Sequence, residues 1–277
     1  MTELVSPQGT RFEEAMGAMV RPGRAVFSFA VAALGVETMI CAGISQNPLG
    51  PGYNAIPVLP WLPAVPWLAI LFGAVWTTCA VGLLFRRWLR LAAIALGGLL
   101  SLCTLILIVP RFVAEPGDMG LRTVVLEPLA LAGMALLLPA PGAMPAWLTR
   151  GSRISIALAF VVFGADHFLA LAFIASLIPD WIPWRVFWVA FFGAAFIAAG
   201  LCIGLGRFER WAAAGIGLMF AIWVLTLHVP RTLGFYGIPG ALHDPDEWSS
   251  LFIAVGLWGG SWALAGKPAP QALDASE

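Results

Sequence analysis

Seven ionisable side chains lie within the apolar runs of this chain or at their edges, where charge is costly. They are Glu37, Glu127, Asp166, His167, His228, Arg111 and Arg231. A charged side chain in hydrocarbon costs roughly 2.5 kcal/mol or more, so such residues face the interior of a helix bundle. Carboxylates and imidazoles could exchange protons there, and the arginines could neutralise carboxylates or hold an anionic head group. We therefore interpret the seven as an outward-facing polar pocket.

A structural role is the alternative interpretation of the same residues. Glu37 and Asp166 would then form hydrogen bonds between helices. Arg111 and Arg231 would extend along apolar surface until their charged heads reach water. The sequence leaves both interpretations open.

Haem and metal binding are not favoured by the two histidines. Bis-imidazole ligation needs both rings at one height, whereas His228 is predicted at the membrane edge and His167 roughly 10–15 Å deeper. A metal held by Glu37, Asp166 and His167 is chemically possible, but nothing else in the sequence points to one. The cofactor, if there is one, stays unknown at this stage.

The elements that carry these residues are predicted to be transmembrane helices. Charged residues make up 11% of the chain and apolar residues 60%, whereas soluble domains have roughly 25% and 45–50%. The apolar residues form runs of about 20 residues, enough to cross a hydrocarbon core of roughly 30 Å. The runs cover residues 25–44, 65–85, 91–110, 121–139, 154–178, 186–206, 211–229 and 249–266. We predict an all-α integral membrane protein with eight transmembrane helices, the fourth broken at Pro128, just after Glu127.

An internal repeat organises these helices into two halves. Residues 61–111 and 181–231 align without a gap, with about 15 identical residues. Glu37 aligns with Asp166 when the alignment is extended backwards. Four helices per half is an even number, so the two halves share one orientation and form two tandem four-helix repeats in parallel orientation.

The domain boundaries follow from this repeat. The two repeats occupy residues 25–139 and 154–266, joined by a Pro-, Gly- and Ala-rich cytoplasmic linker at 140–153. Residues 1–24 and 267–277 are predicted to be short cytoplasmic tails. With eight spans, eleven of the fifteen Lys and Arg residues lie on one side, which the positive-inside rule assigns to the cytoplasm. No P-loop, GxGxxG or nucleic-acid-type basic patch is present, so neither nucleotide nor nucleic acid is an expected partner.

Several segments of the second half together carry a resemblance to a known family. They are Asp166-His167-Phe168, the Leu177-Ile178-Pro179-Asp180-Trp181-Ile182-Pro183 turn, the Gly193-bearing helix, the Arg207–Arg210 inner loop and the end His228-Val229-Pro230-Arg231. They resemble the DoxX-like family of small bacterial integral membrane proteins. The resemblance covers about 155–266 well, and 25–139 as a degenerate copy that lacks the histidines.

The resemblance implies a function but no defined catalyst. Some members are described as subunits associated with quinol or thiosulfate oxidation. We therefore expect a subunit of a quinone-linked redox or respiratory system in the bacterial inner membrane, in contact with the lipid bilayer and with a membrane protein complex. The alternatives are a non-catalytic structural or assembly subunit, and a small-molecule or lipid transporter. Whether the protein is an enzyme stays open.

Overall fold

A computed structural model describes residues 14–44, 66–237 and 240–267 of the 277. The described chain is helical, without strands. Its principal helices are α1 (Val20–Ile44), α2 (Pro66–Gly82), α3 (Leu89–Cys103), α4 (Met119–Leu137), α5 (Ala146–Leu169), α6 (Arg185–Leu205), α7 (Glu209–Trp223) and α8 (Pro245–Ala265). Residues 1–13, 45–65, 238–239 and 268–277 lie outside the described residues, and they include parts of both predicted cytoplasmic tails.

Seven helical stretches in the described ranges are long and apolar enough to cross a membrane. The one predicted span that is not among these seven, 65–85, corresponds to α2, an apolar helix of 17 residues. At 1.5 Å per residue it measures about 25 Å, slightly short of a typical hydrocarbon core. The chain therefore has the fold of a multi-pass α-helical membrane protein.

Two helices differ from their predicted limits. α5 begins at Ala146, inside the predicted linker 140–153, and ends at Leu169, after which a short helix covers Leu171–Leu177. Hydropathy marks only the lipid-embedded part of a helix, so it does not detect the first two turns of α5, which carry Arg150 and Arg153. The predicted break at Pro128 is wrong, because α4 continues through that residue. Neighbouring helices make such a proline tolerable in a membrane.

The packing order of the helices forms a ring. Each principal helix contacts the next one in the chain, and α8 packs against α1 to close the ring. α4 and α8 also contact each other across its middle. We call the end of the bundle where α4 and α8 begin the distal end, which corresponds to the predicted outer side.

Close helix contacts occur at matching positions of the two halves. A methyl group on Gly35 would lie 2.9 Å from the Gly73 carbonyl oxygen, where α1 crosses α2. A methyl group on Gly164 would lie 2.5 Å from the Gly193 carbonyl oxygen, where α5 crosses α6. Small residues allow backbones to approach this closely when hydrophobicity cannot drive packing in lipid.

The contacts of α4 and α8 are similarly matched. A methyl group on Gly133 would lie 2.8 Å from the Ser152 carbonyl oxygen at the start of α5. A methyl group on Gly259 would lie 2.8 Å from the Gly23 carbonyl oxygen at the start of α1. Each half thus supplies its last helix to the first helix of the other.

Both α3 and α7 end in a π-helix. The first π-helix covers Thr104–Ile108 and the second covers Val224–His228, and each precedes a Val-Pro-Arg sequence. Proline has no N–H to donate to the preceding turn and its ring clashes with a carbonyl there. A wider turn ahead of the proline relieves that clash, and such turns are frequent at functional sites.

Candidate functional site

An ion pair joins α4 to α5 near the distal end. Asp166 is 7% exposed, and its Oδ1 accepts a hydrogen bond from Nη2 of Arg122. The Arg122 side chain is 28% exposed. The arginine supplies the positive charge that makes a buried carboxylate tolerable. The candidate acid of the second half is therefore neutralised by a neighbouring helix.

The matching acid of the first half has a different partner. Glu37 on α1 accepts a hydrogen bond from the Ser249 hydroxyl on α8, with 2.8 Å between Oε1 and Oγ. Its other oxygen, Oε2, is fully buried and has no hydrogen-bond partner within the part of the chain that the structure describes. Among the described residues, no lysine, arginine or histidine forms an ion pair with Glu37.

Arg231 forms the second distal ion pair, between the end of α7 and the start of α8. Its Nε donates to both carboxylate oxygens of Glu247, at 2.8 and 2.7 Å. Thr232, which is fully buried, donates from its hydroxyl to the Glu247 backbone carbonyl at 3.1 Å. Both Nη groups of Arg231 make no hydrogen bond to any described residue, which leaves four N–H donors for a ligand.

The second π-helix brings His228 beside this arginine. His228 ends the π-helix and lies one helical turn before Arg231. Its imidazole is half-buried and makes no hydrogen bond to a described residue. The Tyr236 hydroxyl donates to the Thr226 carbonyl at 2.5 Å. That bond satisfies a carbonyl of the turn in which Pro230 cannot act as a donor.

His167 and Glu127 lie apart from this cluster. Nδ1 of His167 lies 2.7 Å from the Phe163 carbonyl one turn earlier, and the ring packs against Phe196 with 5.3 Å between ring centroids. Glu127 is half-buried and has no hydrogen bond or ion pair with any described residue. It shares a face of α4 with Leu131, whose side chain lies against Gly256 of α8.

The predicted pocket is thus divided among several helix interfaces. The described contacts place Glu37 at α1–α8, Asp166 at α4–α5, and Arg231 with His228 at the distal end of α7. None of these contacts joins one group to another. The side chain of Arg111 lies outside the described residues, although its backbone belongs to the short helix Val109–Ala114.

Three partner residues were not anticipated from the sequence. Arg122, Glu247 and Ser249 each complete a polar contact with a predicted site residue. Arg122 had a detectable signal, because it is one of four arginines on the predicted outer side and the only one inside an apolar run there. Ser249 had none, since serine is common at helix starts.

The acidic segment before α8 serves as a helix cap. Asp244 accepts a hydrogen bond from the Asp246 backbone N–H at 2.9 Å, and Pro245 occupies the first turn. Asp118 caps α4 in the same way, by accepting from the Leu121 N–H at 3.0 Å. In the described ranges, no group of three or more His, Cys, Asp or Glu residues is placed to hold a metal ion.

Comparison with known proteins yields no relative. No protein-family model matches the chain, and neither a curated protein nor a solved structure is similar to it.

Proposed function

We propose that the protein is a membrane subunit of a quinone-linked redox system that binds a quinone head group beside Arg231. The observation that carries the proposal is the unpartnered pair of donors at the distal end of α7. Both Nη groups of Arg231 and the imidazole of His228 are without a described hydrogen-bond partner. Hydrogen-bond donors next to an apolar helix surface suit a ligand with polar carbonyls on an apolar ring.

The ion pair with Glu247 supports this role for Arg231. Its Nε donates to both carboxylate oxygens, a charge-assisted contact that restrains the side chain and leaves the two Nη groups without a hydrogen-bond partner among the described residues. The charge of the arginine is balanced, so the site suits a neutral head group better than an anion. A fixed donor also loses less side-chain entropy when a ligand binds.

Binding of a short-chain quinone to the purified protein tests the proposal. We expect saturable binding by the native protein in nanodiscs and at least a tenfold loss for Arg231→Gln, which corresponds to about 1.4 kcal/mol. Arg111→Gln is the matched control, because Arg111 occupies the same Val-Pro-Arg position in the first half. Absence of saturable binding by the native protein would overturn the proposal.

The proposal includes an architecture for the whole chain. It comprises eight membrane spans in two tandem four-helix repeats, with both termini in the cytoplasm of a bacterium and DoxX-like ancestry for each half. The closed ring of helices, the matched glycine contacts and the two π-helices support the repeats. Labelling of a cysteine introduced at each terminus, compared between whole cells and inverted vesicles, tests the orientation.

A structural or assembly subunit is the second candidate function. It is favoured by the way most distal charges are already paired within the chain, as in Arg122–Asp166 and Arg231–Glu247. A scaffold needs no free donor, so under this alternative Arg231→Gln would weaken folding without affecting any ligand. Purification of a stoichiometric membrane partner from native membranes, in the absence of quinone binding, would favour it.

A further inference from the structure

We infer that Glu37 is a proton-binding site, which takes up and releases a proton at the distal end of the α1–α8 interface. This inference does not depend on quinone binding. It starts from the different surroundings of two acids that occupy the same position in the two sequence repeats, Glu37 and Asp166.

The contacts of Glu37 favour the neutral acid. One oxygen accepts a single hydroxyl hydrogen bond from Ser249, and the other is fully buried with no partner among the described side chains. An ionised carboxylate within a membrane span is costly unless a cation or several donors compensate it. A bound proton removes that charge.

Asp166 shows what compensation looks like at the matching position. Its Oδ2 is also buried without a hydrogen-bond partner among the described residues, but Arg122 donates to Oδ1 and supplies the positive charge that Glu37 lacks. Ser249 cannot do the same for Glu37, since a hydroxyl carries no charge. The two matching interfaces therefore hold an ion pair in one case and a protonatable acid in the other.

None of the charged and titratable groups described around Glu37 supplies a positive charge that pairs with its carboxylate. Cys41 lies one turn further along α1, and Asp246 lies one turn before Ser249 on α8. Glu247, also on α8, is neutralised by Arg231. Within Pro66–Gly82, α2 contributes Cys79 as its only ionisable side chain.

A route to water follows from the position of Asp246. It stands in the first turn of α8, between Ser249 and the distal end, and is half-buried. On the other side of α8, the α4 face that contacts α8 carries Glu127. Asp246 thus provides a carboxylate between Glu37 and the distal aqueous phase, through which a proton can exchange.

Infrared difference spectroscopy of the protein in nanodiscs tests the inference. We expect a carboxylic-acid C=O band at neutral pH that disappears reversibly as the pH is raised. The component of this band that comes from Glu37 should be absent from Glu37→Gln. The same component should be unchanged in Asp166→Asn. Ser249→Ala should shift the frequency of that same component, because it removes the one hydrogen bond to the Glu37 oxygen.

Glu127→Gln separates the two acids that lie on either side of α8. Any band from Glu127 should be lost in that variant and should not respond to Ser249→Ala. The inference is overturned if Glu37→Gln removes no acid band, or if the Glu37 band does not change with pH. Each variant is first checked for a native unfolding transition, so that a missing band is not the result of misfolding.

Discussion

The α4–α5 and α8–α1 interfaces are built on the same plan but carry different chemistry. Each joins the last helix of one half to the first helix of the other. Each also has a glycine at which an added methyl group would lie 2.8 Å from a backbone carbonyl oxygen of the facing helix. At the distal end, however, Asp166 meets Arg122 whereas Glu37 meets Ser249. Similar helix packing therefore does not require the same polar side chains. The polar contacts that differ between the two interfaces identify residues whose presence packing does not explain.

The largest expected effect is the loss of the ion pair. Arg122→Gln should lower the free energy of unfolding by about 3 kcal/mol, because it leaves Asp166 buried without a cation. Chemical unfolding in bicelles measures this change. The double variant Arg122→Met/Asp166→Leu should recover most of the loss, since it removes both charges. If Arg122→Gln lowers the free energy of unfolding by less than Glu37→Gln does, the proposed difference between the two interfaces is contradicted.

The glycine contacts test whether the two halves share one scaffold. Gly35→Ala and Gly164→Ala should each destabilise by about 1–2 kcal/mol, because overpacking against a backbone carbonyl exceeds the gain in helix propensity. Thermal unfolding of the two variants measures this. Gly98→Ala and Gly215→Ala are the matched controls, since a methyl group there meets nothing within 4 Å. Unequal costs at Gly35 and Gly164 would argue against equivalent halves.

The Glu37 contact should be worth less than the ion pair. Ser249→Ala should cost about 1 kcal/mol through the loss of one buried hydrogen bond. Glu37→Gln should cost less than that at neutral pH, because the amide oxygen can still accept from Ser249. Unfolding in bicelles at neutral pH compares the two variants with Arg122→Gln. A Glu37→Gln loss as large as that of Arg122→Gln would mean that Glu37 is ionised.

A pH-dependent effect is expected at the other end of α4 and α8. Lys267 follows α8 and donates to the Pro139 carbonyl beyond α4, at 2.6 Å. Burial lowers the pKa of Lys267 from 10.5 to about 8, with Glu209 opposing this shift and Arg153 adding to it. Between these two pKa values the unfolded chain binds more protons than the folded one, so stability should increase as the pH rises from about 8.

A pH series of thermal unfolding checks this last expectation. Lys267→Met should remove the increase, because methionine has no proton to lose. An unchanged pH dependence in Lys267→Met would assign the effect to another group.

The helical membrane fold and the close contacts at small residues could be predicted from the sequence. Gly73 and Gly193 align in the two repeats, and both lie at helix crossings. Their role follows from local chemistry, since only a residue without a side chain permits such an approach. The apolar runs likewise indicate helices that are mostly recovered in the structure.

The polar contacts could not be predicted in the same way. The bond from Arg122 to Asp166 depends on the relative height and rotation of two helices, which hydropathy does not specify. Residue type predicts which side chains are polar, but it does not predict the helix interface at which each one lies. The π-helix before Pro230 was also missed, although the proline explains it once the structure is known.

Photo-crosslinking with an azido-quinone tests the central claim most directly. We expect the native protein in nanodiscs to be labelled in a peptide covering residues 224–236. Unmodified quinone should compete with this labelling, and Arg231→Gln should abolish it. The equivalent segment 104–116, which has Ile108 where the second half has His228, should stay unlabelled. Equal labelling of both segments, or labelling that persists in Arg231→Gln, would contradict a quinone site confined to the second half.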